Sequence, residues 1–256
     1  MAADYRTPAD RFVEPPTIDL SRRYLEPERM DSPELAAEPH RHALAGLRRI
    51  NYFSRSAAAI AAAISRLPVV NRPILDSSGP LTVLDLGCGG GDVAAGVHRR
   101  LRGVGIAAEV TGWDRSETAV EEALRRAGTP TPQGLRFAVH DAFAASDEHF
   151  DVVYCSLFLH HFEVADAVEL LRQMKSIARR AVIVDDLLRS QMGYLLASAG
   201  CRLLSRSDIV HFDGPQSVRA AFTRQEVNGL AVQAGLSEFS LRKHWPERFT
   251  LTWCRG

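Results

Sequence analysis

The chain has 256 residues, 46% of them hydrophobic, and its 31 basic and 31 acidic side chains give a formal net charge of zero. This length allows one α/β domain with a substantial core plus an N-terminal extension. Zero net charge provides no general steering toward nucleic acid, no apolar run is long enough to span a bilayer, and the polar start differs from a signal or transit peptide. We therefore expect a cytoplasmic protein with no nucleic-acid partner and no transmembrane segment.

The scarcity of lysine and the spacing of the cysteines predict a bacterial source and reduced thiols. Only Lys175 and Lys243 are lysines, and alanine is abundant, which is typical of the coding bias of a GC-rich bacterium. The four cysteines, at positions 88, 155, 201 and 254, form no CxxC pair. We expect reduced thiols rather than a disulfide or a zinc site.

The N-terminal part divides into a loosely ordered tail over residues 1–30 and a helical segment over residues 31–78. The tail is rich in proline, arginine and acids, a composition that does not favour a packed core. The run Ser32-Pro33-Glu34 has the order of a helix N-cap, a first-turn proline and a first-turn acid. A second helix is predicted over residues 54–66.

From residue 79 onward, strands and helices alternate. The pattern predicts one domain over residues 79–256, with a Rossmann-like, mostly parallel sheet of seven strands, helices on both faces and an antiparallel C-terminal hairpin. Residues 187–221 form an insertion that we expect to cover a substrate. The predicted strands are residues 82–86, 109–113, 135–140, 150–156, 180–185, 238–244 and 248–254; the predicted helices are residues 91–102, 116–127, 163–178 and 223–234, the last beginning with a Thr223–Glu226 capping box.

The most informative stretch is residues 83–94, V-L-D-L-G-C-G-G-G-D-V-A. A buried strand runs into Gly87, Gly89, Gly90 and Gly91, and a helix follows. Backbone without Cβ atoms then lies at the positive end of a helix, where a cofactor can rest on the main chain. Because Asp85 beside this loop would repel phosphate, we expect a ligand with an ammonium group, such as S-adenosylmethionine.

Polar residues also follow the next three strands, at the same edge of the predicted sheet. The second strand ends in Asp114, which can accept from both hydroxyls of a ribose. The third is followed by Asp141, which can accept from an adenine amino group while the next amide donates to the ring. The fourth ends in residues 154–162, Y-C-S-L-F-L-H-H-F. Taken singly, Asp114 could cap the helix near Ser116 and Asp141 could be a turn residue.

Together these motifs resemble those of class I S-adenosylmethionine-dependent methyltransferases over about residues 81–256. The resemblance implies S-adenosylmethionine as cofactor and S-adenosylhomocysteine as product. It implies the methionine end at the glycine loop, ribose at the second strand end, adenine at the third beside Trp113 or Arg115, and the amino group at a backbone oxygen of the fourth. The residues expected at the cofactor are Asn51, Asp85, Gly87, Cys88, Gly89, Asp92, Trp113, Asp114, Arg115, Asp141, Ala142, Ser156 and Leu157.

Several segments resemble a narrower bacterial group that is similar in plan to the ubiquinone and menaquinone methyltransferases. The resemblance implies O-methylation of a phenolic or polyketide-type hydroxyl in secondary metabolism, with a small aromatic acceptor and a monomeric or homodimeric enzyme. The segments are residues 47–51 (L-R-R-I-N), 156–162, 186–190, 211–215 with 217–219, and 245–248.

Methyl transfer from a sulfonium is an in-line displacement, and a phenolic acceptor needs one general base near neutrality. His160 and His161 follow the fourth strand, and we expect His161 in preference to His160 to be that base. Both could instead be packing residues. His211 in the insertion is the rival. Residues 49–53 are expected to fold over the methionine end as a lid, or alternatively only to cover apolar sheet surface.

A metal site is not expected. Asp185 and Asp186 end the predicted fifth strand, but the fourth ends in Ser156-Leu157 without an acid, and two adjacent carboxylates make a poor magnesium cage. C-methylation of a quinol ring, a catalytically inactive cofactor-binding regulator and a nicotinamide oxidoreductase stay open as alternatives. Methylation of RNA or protein is disfavoured, because no N-P-P-Y type tetrad follows the fourth strand and no basic stripe with aromatic residues is present.

Overall fold

A computed structural model describes residues 18–32, 34–68 and 79–256. Its centre is a seven-stranded sheet with the spatial order β3-β2-β1-β4-β5-β7-β6. The strands β1 to β5 pair in parallel, and β7 is antiparallel to both β5 and β6, so the predicted sheet is confirmed. The strands are β1 (Leu81–Leu86), β2 (Ala108–Asp114), β3 (Leu135–Val139), β4 (Phe150–Ser156), β5 (Ala178–Leu187), β6 (Ser240–His244) and β7 (Arg248–Cys254).

Helices cover both faces of this sheet. Apolar side chains of α5 and α8 pack on one face, and those of α2 and α3 pack on the other, because successive residues of a strand point to opposite faces. No helix in the described ranges is both long enough and apolar enough to cross a bilayer. The helices are α1 (Ala37–Phe53), α2 (Ser56–Ser65), α3 (Asp92–Gly103), α4 (Glu117–Ala127), α5 (Val164–Ile177), α6 (Gln191–Leu204), α7 (Asp208–Ala220) and α8 (Arg224–Gln233).

Helices α4 and α8 each begin directly after a residue whose side chain caps the helix, and their starts were predicted accurately. The Ser116 hydroxyl accepts from the Ala119 amide at the start of α4. The capping box of Thr223 and Glu226 is present at the start of α8. Each cap satisfies amides that lack a partner within the helix. These two boundaries therefore lie within a residue of their predicted positions.

The predicted start of the first helix is wrong. The Ser32 carbonyl accepts from the Leu35 amide and its hydroxyl from the Glu34 amide, so the chain forms a single turn there. α1 begins only at Ala37. Pro39 lies in the first turn of α1, where its missing N–H costs nothing, and was the better sequence signal.

Residues 23–30 contact α7 and the residues after β4, and the expectation of a loosely ordered tail over residues 1–30 did not include such contacts. The Tyr24 amide donates to the Arg219 carbonyl at 3.0 Å, and the Arg29 amide donates to Asp213 at 2.9 Å. Extended segments are fixed when partners outside the segment satisfy their amides. The predictions for residues 1–17, Pro33 and 69–78 lie outside the described residues.

The fifth strand is longer than predicted, and this changes the position of two acids. β5 continues to Leu187, so Asp185 and Asp186 lie inside the strand and not at its end. Both side chains are buried. The insertion over residues 187–221 forms α6 and α7, and Leu188 makes an isolated parallel bridge with Phe222.

Candidate active site and cofactor cleft

The glycine loop joins β1 to α3 at the carboxyl edge of the sheet. The amides of Gly87 and Cys88 donate to the Trp113 carbonyl at 2.8 and 2.9 Å. Gly87 has a φ of 74°, and a Cβ there would lie 2.7 Å from the Phe158 ring, so the position requires glycine. The turn thus presents bare backbone at the N-terminal end of α3.

Asp114 orders this loop from the neighbouring strand. Its Oδ2 accepts from the Gly89 amide at 2.8 Å, and its Oδ1 accepts from the Ser116 amide at 2.9 Å. The helix cap that the sequence left open for Asp114 is formed by Ser116 instead, and Asp114 orders the glycine loop. Each carboxylate oxygen has a second lone pair, so ribose binding by Asp114 stays a prediction.

Three acids surround the loop, and they fit a cationic ligand. Burial, with the charges of Asp92 and Asp114, raises the pKa of Asp85 to about 8, while the nearby Tyr154 hydroxyl acts in the opposite direction. The Oδ2 atom of Asp85 is buried without a hydrogen-bond partner within the described part of the chain. Such a carboxylate favours a ligand that brings positive charge and opposes a phosphate. This favours S-adenosylmethionine over a dinucleotide.

The structure does not support Trp113 as the neighbour of the adenine ring. Its indole is 3% exposed and stacks on His140 with ring centroids 4.0 Å apart. Alternation along β2 turns the side chain toward the core, where it also packs against Phe150. Arg115, the other candidate, lines a cavity that also includes His160 and His161, and its contact with adenine stays a prediction.

At the third strand end, the observed contacts are those of a turn. The Oδ1 atom of Asp141 accepts from the Phe143 amide at 2.8 Å, and Ala142 packs against the core. Asp141 is exposed, so its carboxylate is also accessible to a ligand. Recognition of adenine by Asp141 and Ala142 stays a prediction.

The N-terminal helix covers the glycine loop, but through other residues than expected. Leu44 is buried against the loop: Cβ atoms built on Gly89 and Gly90 would lie 3.9 and 3.7 Å from its side chain. The Nδ2 atom of Asn51 donates to Asp92 at 3.1 Å. Tyr52 and Phe53 are 76% and 58% exposed, and both line a cavity that also includes Gly90, Gly91 and Asp92. Closure of residues 49–53 over the methionine end stays a prediction.

Arg49 connects α1 to the end of α6. Its guanidinium Nε donates to the carbonyl of Leu204. The side chain also lines the cavity that includes Gly90, Gly91 and Asp92. A contact of Arg49 with the cofactor stays a prediction.

His160 and His161 form a cluster with Glu28, which comes from the N-terminal segment. The Nδ1 atom of His160 lies 2.7 Å from Asp186, and its Nε2 lies 3.4 Å from Glu28 Oε1. The Nε2 atom of His161 lies 3.5 Å from the same Glu28 oxygen. The Ser217 hydroxyl also donates to Glu28.

The two histidines differ in what they can do. Burial alone would lower the pKa of His160, but the charge and hydrogen bond of Asp186, with Glu28, raise it to about 10. This shift and the 2.7 Å contact with Asp186 favour a positioning role for His160, and the assignment of the base stays a prediction. His161 is only partly buried and lines the adjoining cavity.

This cavity has a volume of about 600 Å³ and connects the second strand end with the histidines. Its walls come from the N-terminal segment, from α7 and from the carboxyl edge of the sheet. The lining residues are Leu25, Glu26, Pro27, Glu28, Ser32, Arg115, His160, His161, Glu163, Gln216, Ser217 and Ala220.

The acids of β5 each contact other side chains and not one another. Arg248 is buried and donates to Asp185 at 3.0 Å and to Ser156 Oγ at 3.2 Å. His244 Nε2 lies 2.8 Å from the other oxygen of Asp185. The Leu157 amide donates to the Asp185 carbonyl at 2.9 Å. Asp186 instead lies 2.7 Å from His160 Nδ1, so the two acids have different partners. The expectation that they hold no metal ion stays a prediction.

The structure does not bring His211 to the cluster. Its Nε2 lies 2.9 Å from the Ser205 carbonyl in the connection between α6 and α7, and it does not line the cavity. Helical periodicity points Gln216 and Ser217 toward the cavity and His211 toward another side of α7. The geometry therefore does not support His211 as the general base.

Sequence reasoning missed Glu28 and Arg248 as members of the site. Glu28 lies in a Pro- and Arg-rich segment without periodicity, and nothing local distinguishes it. Arg248 opens the last strand, and only its complete burial reveals that it is paired inside the protein.

Comparisons with known proteins agree with this geometry. Residues 83–181 match a family model described as a methyltransferase domain. A ubiquinone biosynthesis O-methyltransferase of Alkalilimnicola ehrlichii is 35% identical over 125 residues, which are 48% of this chain and 48% of that protein. The chain spans about half the length of the curated relatives it matches.

Two solved structures share the fold. Magnesium protoporphyrin IX methyltransferase from Synechocystis PCC 6803, with bound SAH, has a TM-score of 0.55 at 18% identity and covers 80% of this chain and 84% of that one. An O-methyltransferase family protein from Burkholderia thailandensis has a TM-score of 0.56 at 17% identity and covers 79% of this chain and 57% of that one.

Proposed function

We propose that this chain, which carries a class I S-adenosylmethionine-dependent methyltransferase domain and has S-adenosylmethionine as its cofactor, methylates a phenolic or polyketide-type hydroxyl of a small aromatic molecule. The observation that carries the proposal is the pairing of His161 with Glu28 at the wall of the 600 Å³ cavity. The glycine loop lies at the same sheet edge. The curated relatives are ubiquinone biosynthesis O-methyltransferases, which favours transfer to oxygen over transfer to carbon.

The reaction needs a nucleophile, a base and an aligned donor. S-adenosylmethionine supplies the electrophilic methyl group. His161 takes the proton of the acceptor hydroxyl, and Glu28 stabilises the imidazolium that forms. The acceptor oxygen forms a bond to the methyl carbon as the carbon–sulfur bond breaks, which yields a methyl ether and S-adenosylhomocysteine. His161 then releases the proton to water.

His160 positions the base. Asp186 keeps its ring oriented and charged, and the other ring nitrogen faces Glu28. This arrangement holds the Glu28 carboxylate where His161 can use it. The N-terminal segment and α7 enclose the cavity, and exclusion of water strengthens these electrostatic interactions.

We also propose that different segments of the chain cover the cofactor and the acceptor. Helices α1 and α2 act as a lid on the cofactor, which Leu44 against the glycine loop and Asn51 on Asp92 support. The insertion over residues 187–221 covers the acceptor, since Gln216, Ser217 and Ala220 line the cavity. Residues 79–256 form the methyltransferase domain itself.

The test compares His161→Ala with a matched control, His149→Ala, which changes an exposed histidine before β4. With a panel of phenols and quinols, we expect His161→Ala to lower kcat by roughly 10²–10⁴-fold and to leave the calorimetric affinity for S-adenosylhomocysteine unchanged. His149→Ala should keep the wild-type rate. A folded His161→Ala variant with the wild-type rate on an unactivated phenol would show that His161 is not the base.

The product identifies the atom that is methylated. NMR separates an O-methyl from a C-methyl group, so a quinol methylated on its ring would support C-methylation instead. Binding of cofactor with no methylation of any phenol or quinol would contradict the proposed acceptor class and favour a non-catalytic protein.

A further inference from the structure

We propose that Glu28, His160 and His161 bind one divalent transition-metal ion, for which Zn²⁺ is the best match. One ligand atom from each of the three side chains lies within 4.8 Å of the other two. Two imidazoles and a carboxylate are the donors that Zn²⁺ prefers. The three come from two distant parts of the chain, which the fold brings to one wall of the cavity.

The spacing of the donors fits an ion better than it fits direct hydrogen bonds. A hydrogen bond between an imidazolium and a carboxylate is about 2.7–2.9 Å long. Glu28 Oε1 lies 3.4 Å from His160 Nε2 and 3.5 Å from His161 Nε2. Ligands about 2.1 Å from a tetrahedral zinc lie about 3.4 Å apart. Both measured distances therefore match edges of a coordination tetrahedron.

Surrounding groups orient the donors as in a built metal site. Asp186 lies 2.7 Å from His160 Nδ1, which fixes the ring and directs Nε2 toward the shared position. A carboxylate on the far nitrogen of a ligating histidine is a common feature of zinc sites. The Ser217 hydroxyl donates to Glu28 and fixes that carboxylate in turn.

The charge of the cluster also suits a dication. Glu28 and Asp186 are two carboxylates that face the histidines, and their side chains are 11% and 2% exposed. Negative charges with so little access to water need compensation. A divalent ion between the imidazoles, in place of a proton on His160, supplies two positive charges. Arg23 does not compete, because its guanidinium donates to the His160 and Ala220 carbonyls.

Occupation of this site has a consequence for catalysis, and that consequence rests on the proposed function. An ion on His161 Nε2 also takes the Glu28 carboxylate, 3.5 Å away, as a ligand, so the base loses the carboxylate that pairs with it. His161 can then no longer accept the proton of the acceptor. We expect the metal ion to act as a reversible inhibitor of methyl transfer.

The test uses the full chain with Cys254→Ser, because Cys254 is the exposed thiol. Zn²⁺ is titrated into metal-free protein by calorimetry, and Co²⁺ is titrated while its visible absorption is recorded. We expect one site, intense tetrahedral Co²⁺ bands, a loss of affinity of about 100-fold or more in Glu28→Gln and His161→Gln, and a loss of roughly 10–100-fold in Asp186→Asn. His149→Gln should bind as the parent does.

Absence of saturable 1:1 binding, or equal affinity in folded Glu28→Gln, overturns the metal site. Turnover is measured in parallel with chelator and with one equivalent of Zn²⁺. Loss of turnover on Zn²⁺ addition supports inhibition, and full or increased turnover at saturation overturns it. If no acceptor is methylated at all, the proposed function fails, whereas the binding titration still decides the site.

Discussion

Replacement of Asp85 by asparagine should remove a loss of stability that the wild-type protein shows as the pH rises, and it should weaken cofactor binding. The pKa of Asp85 is raised from 3.8 to about 8, chiefly by burial. A group whose pKa is higher in the folded state contributes stability that is fully present below pH 3.8 and is lost as the pH rises through 8. Ligand-free wild-type protein therefore loses stability across the neutral range.

The size of this effect follows from the shift. Each pKa unit corresponds to about 1.4 kcal/mol, so between pH 5 and pH 8 the loss is about 4 kcal/mol as an upper limit. Water that enters the site reduces it. An asparagine side chain cannot ionise, so the free energy of unfolding of Asp85→Asn lacks this contribution at every pH.

Urea unfolding at pH 5, 6, 7 and 8, without cofactor, measures the difference. Asp147→Asn, at an exposed position, serves as the control and should follow the wild-type pH dependence. We expect Asp85→Asn to gain at least about 1–2 kcal/mol relative to wild type between pH 5 and 8, and to bind S-adenosylmethionine more weakly by calorimetry. A difference that stays constant across this range would refute the reasoning about Asp85.

Three further predictions concern the cofactor cleft and its support. Asp114→Ala removes the acceptor of the Gly89 amide and the predicted ribose ligand, and should weaken S-adenosylhomocysteine binding by about 2–3 kcal/mol in calorimetry; unchanged affinity would contradict the assignment. Asn51→Ala breaks the bridge to α3 and should cost about 1 kcal/mol of cofactor affinity, whereas equal affinity would argue against a lid. Arg248→Met leaves Asp185 buried without its guanidinium and should lower the free energy of unfolding by about 3–5 kcal/mol in urea; wild-type stability would show that the pair contributes little.

The sequence by itself determined the order of the elements and the position of the cofactor loop. Alternation of apolar strands with amphipathic helices, the glycines after Leu86 and the capping box at Thr223 are local patterns. The structure that each pattern predicts depends on backbone sterics and on hydrogen bonds between residues close in sequence. The sheet, its C-terminal hairpin and the glycine turn could therefore be predicted without knowledge of any tertiary contact.

Only the tertiary structure decided which side chains face the cleft and which groups are charged. Trp113 and Asp141 look alike as strand-end candidates, but packing buries the first and exposes the second. His160 and His161 are adjacent in sequence, yet Asp186 from β5 and Glu28 from the N-terminal segment give them different roles. Burial and pKa depend on groups that are more than twenty residues away along the chain, and no local pattern encodes those distances.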